Sequence, residues 1–476
     1  MIGSLNTYRY LQNYAPEWGS GGIFGLRYWK GVLYFTLAFE AEAHFVKNEE
    51  ETIYKFEYIG QAPRSGGDTY NAVTSVDEYI YFGGWIHAPI TLSRDGKLLF
   101  TNKYSHVHVY NVYEDNVKLL WKETISAEMR WAGEVSEIIY DPISDKLLLA
   151  RADGHENLGV YELDRDGKDI KKISEDPALK GTLYLEYVCF NTGKRVFNGI
   201  QCLDMYRRSW HRYEIRNKIP KISVDGHGVT KPKVGSFIVA YNRIFIITRG
   251  GIFIANPVDS EYSFIRLMDF GPIAMSPIRT NALNLGGGVL TAFNAYAEAS
   301  SKPYEDVIVS PTLLIYISPP IAKIVGVLGC RVTSMESIGN SILIAANTMP
   351  NLADKSTPID TGLRDIISLN IDTIITSSPP PLSIVLRGKH VGNSIWGGVP
   401  LNGYRDSKII IRASKDNELT IYEYNISMPL SNNIAEKTKY AVKCGKNVID
   451  LSSHYGILSF KFKETDFKAD ICMHLT

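Results

Sequence analysis

The sequence predicts an all-β protein, and more specifically a single β-propeller of seven or eight four-stranded blades. Helical periodicity is nearly absent, while short apolar strands recur at a regular spacing along all 476 residues. The turns between them have hairpin chemistry. Asp95-Gly96 and Gly250-Gly251 supply the positive φ that two-residue loops need.

The predicted strands are runs of β-branched and aromatic residues that end at Gly, Asn, Asp or Pro. Clear examples are GVLYFTLAF (31–39), KLLLARA (146–152) and SILIAANT (341–348). Each run is short and rich in residues that pack well on a pleated sheet. Strands joined by short loops are therefore expected throughout the chain.

The strands group into repeated units, which predict the architecture. The units begin near residues 23, 72, 133, 182, 235, 280, 331 and 395, with a partial unit near 447. A spacing of roughly 45 to 65 residues suits a four-stranded meander. Such a sheet is apolar on both faces, and radial packing buries each sheet against its neighbours.

We therefore expect one propeller domain over residues 1–476, closed by pairing between residues near 1–22 and 447–476. The alternative is a pair of β-sandwich domains. Their boundary would fall in the Ser/Pro-rich stretch TSSPPPL (376–382).

Charge and hydropathy exclude several classes of partner. Lys plus Arg and Asp plus Glu both number 51, so the net charge is zero, whereas nucleic acids and anionic membranes favour basic surfaces. No secretory signal and no long apolar window occur, so we expect a cytoplasmic protein. The five scattered cysteines lack CxxC spacing and are expected to be buried thiols.

The segments GGWIHAP (83–89) and DGHENLGVYEL (153–163) resemble those of a group of uncharacterised archaeal proteins. The unit pattern is similar to that of propellers whose repeats lack the GH…WD signature. The resemblance implies a propeller fold and an archaeal source, and it brings no catalytic residues. Glutamine occurs only three times, which favours a thermophilic source.

Candidate ligand residues lie where loops are expected to meet at one end of the channel. Paired glycines before Trp85 and His87 can aim both side chains into a cavity. A charged run that interrupts two strands contains His155 and Glu156, and a glycine-rich loop carries His227. Two predicted unit starts complete the set with Trp131, Glu134 and Trp396.

Each candidate also has a plainer interpretation as a packed side chain or a solvated turn. His106 and His108 share a strand face and could chelate a metal, but an exposed pair is the favoured interpretation. No P-loop, GxSxG or HExxH motif occurs.

Two functions follow from these residues. The favoured one is a non-catalytic binding or scaffolding propeller that recognises a protein or a carbohydrate at its loop face. The alternative is a propeller hydrolase, either metal-assisted (a lactonase, for example) or a glycosidase, with a His/Glu site at the channel mouth. A divalent metal would then be held by His87, His155 and His227.

Overall fold

The protein is built almost entirely of β-strands, as predicted. The computed structural model describes residues 3–4, 22–38, 41–57, 65–87, 89–92, 98–100, 104–125, 130–194, 197–214, 234–248, 251–257, 261–265, 279–294, 312–347, 364–393, 395–426 and 436–476. Among these residues, the helices are α1 (Ile371–Thr376) and α2 (Gly388–Val391). Neither is long and apolar enough to cross a membrane.

The first four blades are antiparallel sheets, and in blade 2 two short strands both pair with β8. The first strand of the described residues is the two-residue β1 (Gly3–Ser4). Blade 1 contains β2 (Ile23–Trp29), β3 (Val32–Leu37), β4 (Glu42–Lys47) and β5 (Glu50–Lys55). Blade 2 contains β6 (Ser65–Gly67), β7 (Val73–Val76), β8 (Tyr79–His87), β11 (Tyr104–Asn111) and β12 (Asn116–Thr124), and a separate hairpin pairs β9 (Pro89–Leu92) with β10 (Leu98–Phe100). Blade 3 contains β13 (Glu134–Asp141), β14 (Lys146–Asp153), β15 (Gly159–Asp164) and β16 (Ile170–Ser174). Blade 4 contains β17 (Gly181–Tyr184), β18 (Tyr187–Thr192), β19 (Gly199–Asp204) and β20 (Trp210–Glu214).

The next three blades follow the same plan. Blade 5 contains β21 (Val234–Ala240), β22 (Arg243–Thr248), β23 (Gly251–Asn256) and β24 (Glu261–Ile265). Blade 6 contains β25 (Ala282–Leu285), β26 (Gly288–Phe293), β27 (Thr312–Ser318) and β28 (Ile321–Leu328). Blade 7 contains β29 (Arg331–Ile338), β30 (Ser341–Asn347) and β31 (Arg364–Asn370), and β1 completes it.

These seven sheets of the described chain form a closed ring, which confirms the propeller. The first strand of each blade contacts the first strand of the next, from β2 through β7, β13, β17, β21 and β25 to β29, and β29 contacts β2. Burial follows this arrangement. The strand β3 is buried along its whole length because neighbouring blades cover both of its faces, whereas the outermost strand β5 is mostly exposed.

Ring closure differs from the prediction, which paired residues near 1–22 with residues 447–476. The structure pairs Gly3 with Ser368 and Ser4 with Ile367, so that β1 is the outermost strand of blade 7. The N-terminal segment thus closes the ring by pairing with β31. Such pairing gives this edge of the blade a hydrogen-bonded neighbour.

The C-terminal part forms two further sheets, in contrast to the predicted eighth blade near residue 395. One sheet has the order β32-β39-β34-β37 and the other β33-β38-β35-β36. Their strands are β32 (Leu382–Arg387), β33 (Trp396–Pro400), β34 (Lys408–Ala413), β35 (Asn417–Tyr424), β36 (Glu436–Val442), β37 (Gly445–Asp450), β38 (Ile457–Phe462) and β39 (Asp470–Leu475). Strands that alternate between two sheets define a β-sandwich rather than a meander blade. The stretch 376–382 joins it to the propeller.

Two of the five cysteines that were expected to be buried thiols form a disulfide instead. Cys189 and Cys202 occupy directly opposite positions on β18 and β19 and form a disulfide. Both are fully buried in blade 4. Among the described cysteines, Cys330, Cys444 and Cys472 are free thiols.

Candidate functional site

Charged side chains gather where the first strands of several blades begin, at one end of the channel. Blade 3 contributes Glu134, the first residue of β13, and Asp153, its direct partner on β14. Blade 2 contributes the turn between β6 and β7, and blades 4 and 6 contribute the residues before β17 and β25. We call this set the central polar cluster, and its members are Asp68, Thr69, Tyr70, Glu134, Glu137, Asp153, Lys180 and Arg279.

Asp153, Tyr70 and Arg279 contact one another within the cluster, and Tyr70 is buried while the other two are partly exposed. The hydroxyl of Tyr70 donates a hydrogen bond to Oδ2 of Asp153 over 2.7 Å. Nη2 of Arg279 lies 3.5 Å from the same oxygen, and its guanidinium sits 4.6 Å from the centre of the Tyr70 ring. The Asp153 and Arg279 side chains remain 12% and 21% exposed, so both are partly open to solvent.

Glu134 lies deeper, at 2% exposure, and accepts a 2.6 Å hydrogen bond from the hydroxyl of Thr69. Burial raises the pKa of Glu134 well above its ordinary value. The charges of Asp153 and Asp68 add to this rise in pKa, while Arg279 opposes it. Glu134 therefore takes up a proton more readily than an exposed glutamate does.

Lys180 of blade 4 contacts residues of blades 2 and 3 and so connects the three blades. Its Nζ donates to the carbonyl oxygens of Tyr70 and Ser136, the latter over 2.8 Å, and lies 3.1 Å from Oε2 of Glu137. Burial raises the pKa of Glu137 to about 7, although Lys180 acts in the opposite direction. The three acceptors account for all three ammonium hydrogens.

Asp68 shapes the turn that carries Thr69 and Tyr70. Its Oδ1 accepts a 2.8 Å hydrogen bond from the backbone N–H of Tyr70. Burial raises the pKa of Asp68 to about 6, and backbone donors of this turn limit the rise. Gly25 faces the other oxygen. A Cβ there would lie 2.6 Å from Oδ2, and its φ of +70° also favours glycine.

The cluster can bind polar groups and hold protons. It combines four carboxyl groups with one ammonium and one guanidinium group, and burial raises the pKa of three of the carboxyls. No three His, Cys, Asp or Glu side chains within the described ranges are placed to hold a metal ion. The carboxyl, ammonium and guanidinium groups of the cluster offer both acceptors and donors of hydrogen bonds.

Most of the predicted ligand residues of blade 3 lie beside this cluster. The backbone N–H of His155 donates to the carbonyl oxygen of Trp131 over 2.9 Å, and the two rings meet edge to face at 4.1 Å. Glu156 forms a 3.1 Å ion pair with Arg130. The loop after β14 therefore places His155 and Glu156 close to Asp153 in the chain, with Trp131 packed against His155. We call Trp131, His155 and Glu156 the rim of blade 3.

Of the remaining candidates, the structure describes the side chains of Trp85 and Trp396. Trp85 is half-buried on β8, where the paired glycines allow close backbone approach. A Cβ on Gly84 would lie 2.0 Å from the carbonyl oxygen of Gly67. His227 and the side chain of His87 lie outside the described residues.

The structure contradicts the prediction for Trp396. This side chain is 1% exposed and stacks on Phe460 at 4.7 Å inside the C-terminal sandwich. It begins the sandwich strand β33, whereas the sequence predicts the start of a blade near residue 395. His106 and His108 also differ from the expected exposed pair, since both are fully buried in blade 2.

Sequence reasoning missed Asp68, Tyr70, Lys180 and Arg279. Asp68 and Tyr70 lie in the turn that leads into β7, and Lys180 and Arg279 lie one and three residues before β17 and β25. A search for charged residues directly before each predicted first strand could have found Lys180 and Arg279. Their contacts with other blades leave no local sequence pattern.

The fold and this cluster define a β-propeller with a candidate site at one end of its channel. The chain belongs to the family described as "Uncharacterized protein conserved in archaea (DUF2139)", whose model matches residues 33–355. No curated protein matches the sequence.

Several solved structures are similar to this chain at low identity. A streptogramin B lyase is 11% identical with a TM-score of 0.41, covering 77% of this chain and 99% of that one. The extracellular domain of a hybrid two-component system from B. thetaiotaomicron is 12% identical with a TM-score of 0.44, covering 98% and 58%. The WD40 repeats of RRP9 are 10% identical with a TM-score of 0.41, covering 76% and 100%.

Proposed function

We propose that this protein is a binding propeller that recognises a carbohydrate through the central polar cluster and the rim of blade 3. The arrangement of Arg279 over Tyr70 and beside Asp153 carries the proposal, because it offers a donor and an acceptor at a partly exposed point of the channel. A sugar hydroxyl group both donates and accepts hydrogen bonds, so a sugar needs a donor and an acceptor in its site.

The rim supplies the apolar contact that sugar binding needs. Trp131 is half-buried, and its carbonyl oxygen accepts from His155, two residues after Asp153. An indole ring next to hydrogen-bonding groups can cover the C–H face of a sugar. Trp85, Glu134 and Glu156 complete the proposed contacts, and His87 and His227 remain predictions.

A protein ligand is the other partner that the sequence allowed, and we favour the carbohydrate because a donor and an acceptor lie close together in the cluster. We further propose a cytoplasmic location in a thermophilic archaeon. The Cys189–Cys202 disulfide supports a hot source, since intracellular disulfides are common only in hyperthermophiles.

Calorimetric titration of the purified protein with a panel of neutral oligosaccharides tests the proposal. We expect one class to bind, and Asp153→Asn to weaken that binding about tenfold or more, because hydrogen bonds to charged groups contribute about 1.5–3 kcal/mol. The matched control is Asp166→Asn on the exposed outer turn of the same blade, which pairs only with Lys168 among the contacts described. Equal affinities for the two variants, or no binding by any sugar, would contradict the proposal.

A glycosidase is the second candidate, and the raised pKa of Glu134 favours it. Glycoside cleavage needs a protonated carboxyl group beside an ionised one. Glu134 and Asp153 are cross-strand partners, and Arg279 lies 3.5 Å from Asp153.

Glu134→Gln separates the two functions. For a glycosidase, the variant should lower the hydrolysis rate of bound oligosaccharide at least a hundredfold, since general acid catalysis contributes about 10²–10⁴-fold. For a binding propeller, neither protein hydrolyses the sugar. Product analysis by chromatography after prolonged incubation measures the difference.

A further inference from the structure

A thiol, an imidazole and a hydroxyl form a hydrogen-bonded chain on the outer face of the C-terminal sandwich. Sγ of Cys472 lies 3.3 Å from Nε2 of His474, and Nδ1 of His474 lies 2.8 Å from Oγ of Ser383. Cys472 and His474 are alternate residues of β39, and Ser383 on β32 is the cross-strand partner of His474. All three side chains therefore project from one face, which is partly open to solvent.

This arrangement matches the requirements of an activated nucleophile. A nucleophilic side chain must lie within reach of a base, and a third group must orient that base. With the proton on Nδ1, His474 donates to Ser383 and presents Nε2 to the thiol. Burial raises the pKa of the Cys472 thiol, which is therefore protonated at neutral pH and depends on the imidazole to remove its proton.

Cys472 also lies within an apolar row that crosses the sheet. The register pairs Val385 with Cys472, Cys472 with Ile410, and Ile410 with Val448. Val448 is 57% exposed, and the others are half-buried. The row spans about 14 Å, because neighbouring strands are about 4.8 Å apart. An apolar chain attached at the thiol could lie along it.

We propose that Cys472 is a nucleophilic thiol that accepts an acyl group from an acyl thioester with an apolar chain. Sγ bonds to the thioester carbonyl carbon while its proton passes to Nε2 of His474. The carbon–sulfur bond to the departing thiol then breaks, and that thiol takes the proton from His474. Atoms and charges balance without an oxidant or reductant, and the new thioester stays on the protein.

Acyl transfer from octanoyl and acetyl thioesters of N-acetylcysteamine to the full-length protein tests this, with peptide mass mapping as the readout. We expect octanoyl transfer at Cys472 to be at least tenfold faster than at Cys444, although Cys444 is more exposed. Cys444 is the internal control, because its thiol bonds to the carbonyl oxygen of Ser414 instead of an imidazole. His474→Asn should slow the reaction at Cys472 about tenfold or more.

Three results would overturn the proposal. Equal acylation rates at Cys472 and Cys444 would show that the thiol is not activated. An unchanged rate in His474→Asn, in a protein with unaltered melting temperature, would show that the imidazole does not take part in the proton transfer. Equal rates for acetyl and octanoyl donors would show that the apolar row does not bind the acyl chain.

Discussion

Two neutral imidazoles lie inside the aromatic interface between blades 1 and 2. The Nδ1 atoms of His106 and His108 are 2.9 Å apart, and the ring of His108 stacks on Phe82 at 5.5 Å. Burial lowers the pKa of His108 to about 3 and the pKa of His106 well below its ordinary value. Protonation in the unfolded chain therefore competes with folding in acid.

We predict that His106→Phe/His108→Phe reduces the acid sensitivity of folding. Folding lowers the pKa of His108 from about 6.5 to about 3, so only the unfolded chain binds the proton between these two values. The free energy of unfolding is therefore unaffected above pH 6.5 and decreases as the pH falls from 6.5 towards 3. At pH 5 the lowered pKa of His108 accounts for a loss of about 2 kcal/mol, and that of His106 adds to this loss. Urea unfolding at pH 7 and pH 5 measures how much of that loss the variant recovers.

The matched control is His155→Phe, which replaces an exposed imidazole on the rim of blade 3. It should lose as much stability in acid as the natural protein does. Carboxyls such as Asp68, whose pKa folding raises to about 6, act in the opposite direction, so the proteins are compared at each pH. Equal losses in all three proteins would contradict the assignment.

At the scale of elements, two asparagines join blades 6 and 7. Oδ1 of Asn294 accepts from the backbone N–H of Val332 over 2.8 Å, and its Nδ2 donates to the carbonyl oxygen of Val332 over 2.7 Å. Asn281 forms the same pair of bonds with the backbone of Met335. Blades do not share a sheet, so these side chains supply hydrogen bonds that cross from one blade to the next.

We predict that Asn294→Ala lowers the free energy of unfolding by about 2–4 kcal/mol, because it leaves a buried N–H and a buried C=O without partners. Asn340→Ala, in the exposed turn of blade 7, is the matched control and should change it by less than about 0.5 kcal/mol. Guanidinium unfolding monitored by fluorescence measures both. A similar small change in each variant would mean that other contacts join these blades.

The blades were predictable from sequence because each forms from consecutive residues. The run KLLLARA lies within β14, and Glu134 begins β13 close to the predicted unit start near 133. The cluster was less predictable. Arg279 meets Asp153 from a distant blade, and only ring closure determines that contact. Trp396 was wrongly predicted to lie at the start of a blade. Strands of a sandwich and strands of a blade show the same alternation of apolar residues, so the sequence pattern does not distinguish them.

At the scale of the whole molecule, propeller and sandwich share an apolar core. One continuous cluster of buried side chains runs from blades 5 and 6 into both C-terminal sheets, and β28 contacts β33. It includes Ile254 and Leu313 of the propeller as well as Trp396 and Phe460 of the sandwich. A shared core couples the unfolding of the two parts, because separating them exposes apolar surface on each.

We therefore predict that a fragment of residues 1–377, which ends before the sandwich, melts below the full chain and binds a hydrophobic dye. Each interface side chain that becomes fully exposed costs about 1.5–3 kcal/mol, and the full chain should unfold in a single transition. Differential scanning calorimetry of both proteins measures this. Two separate transitions in the full chain, one matching that of the fragment, would show that the two parts fold independently despite the contacts between β28 and β33.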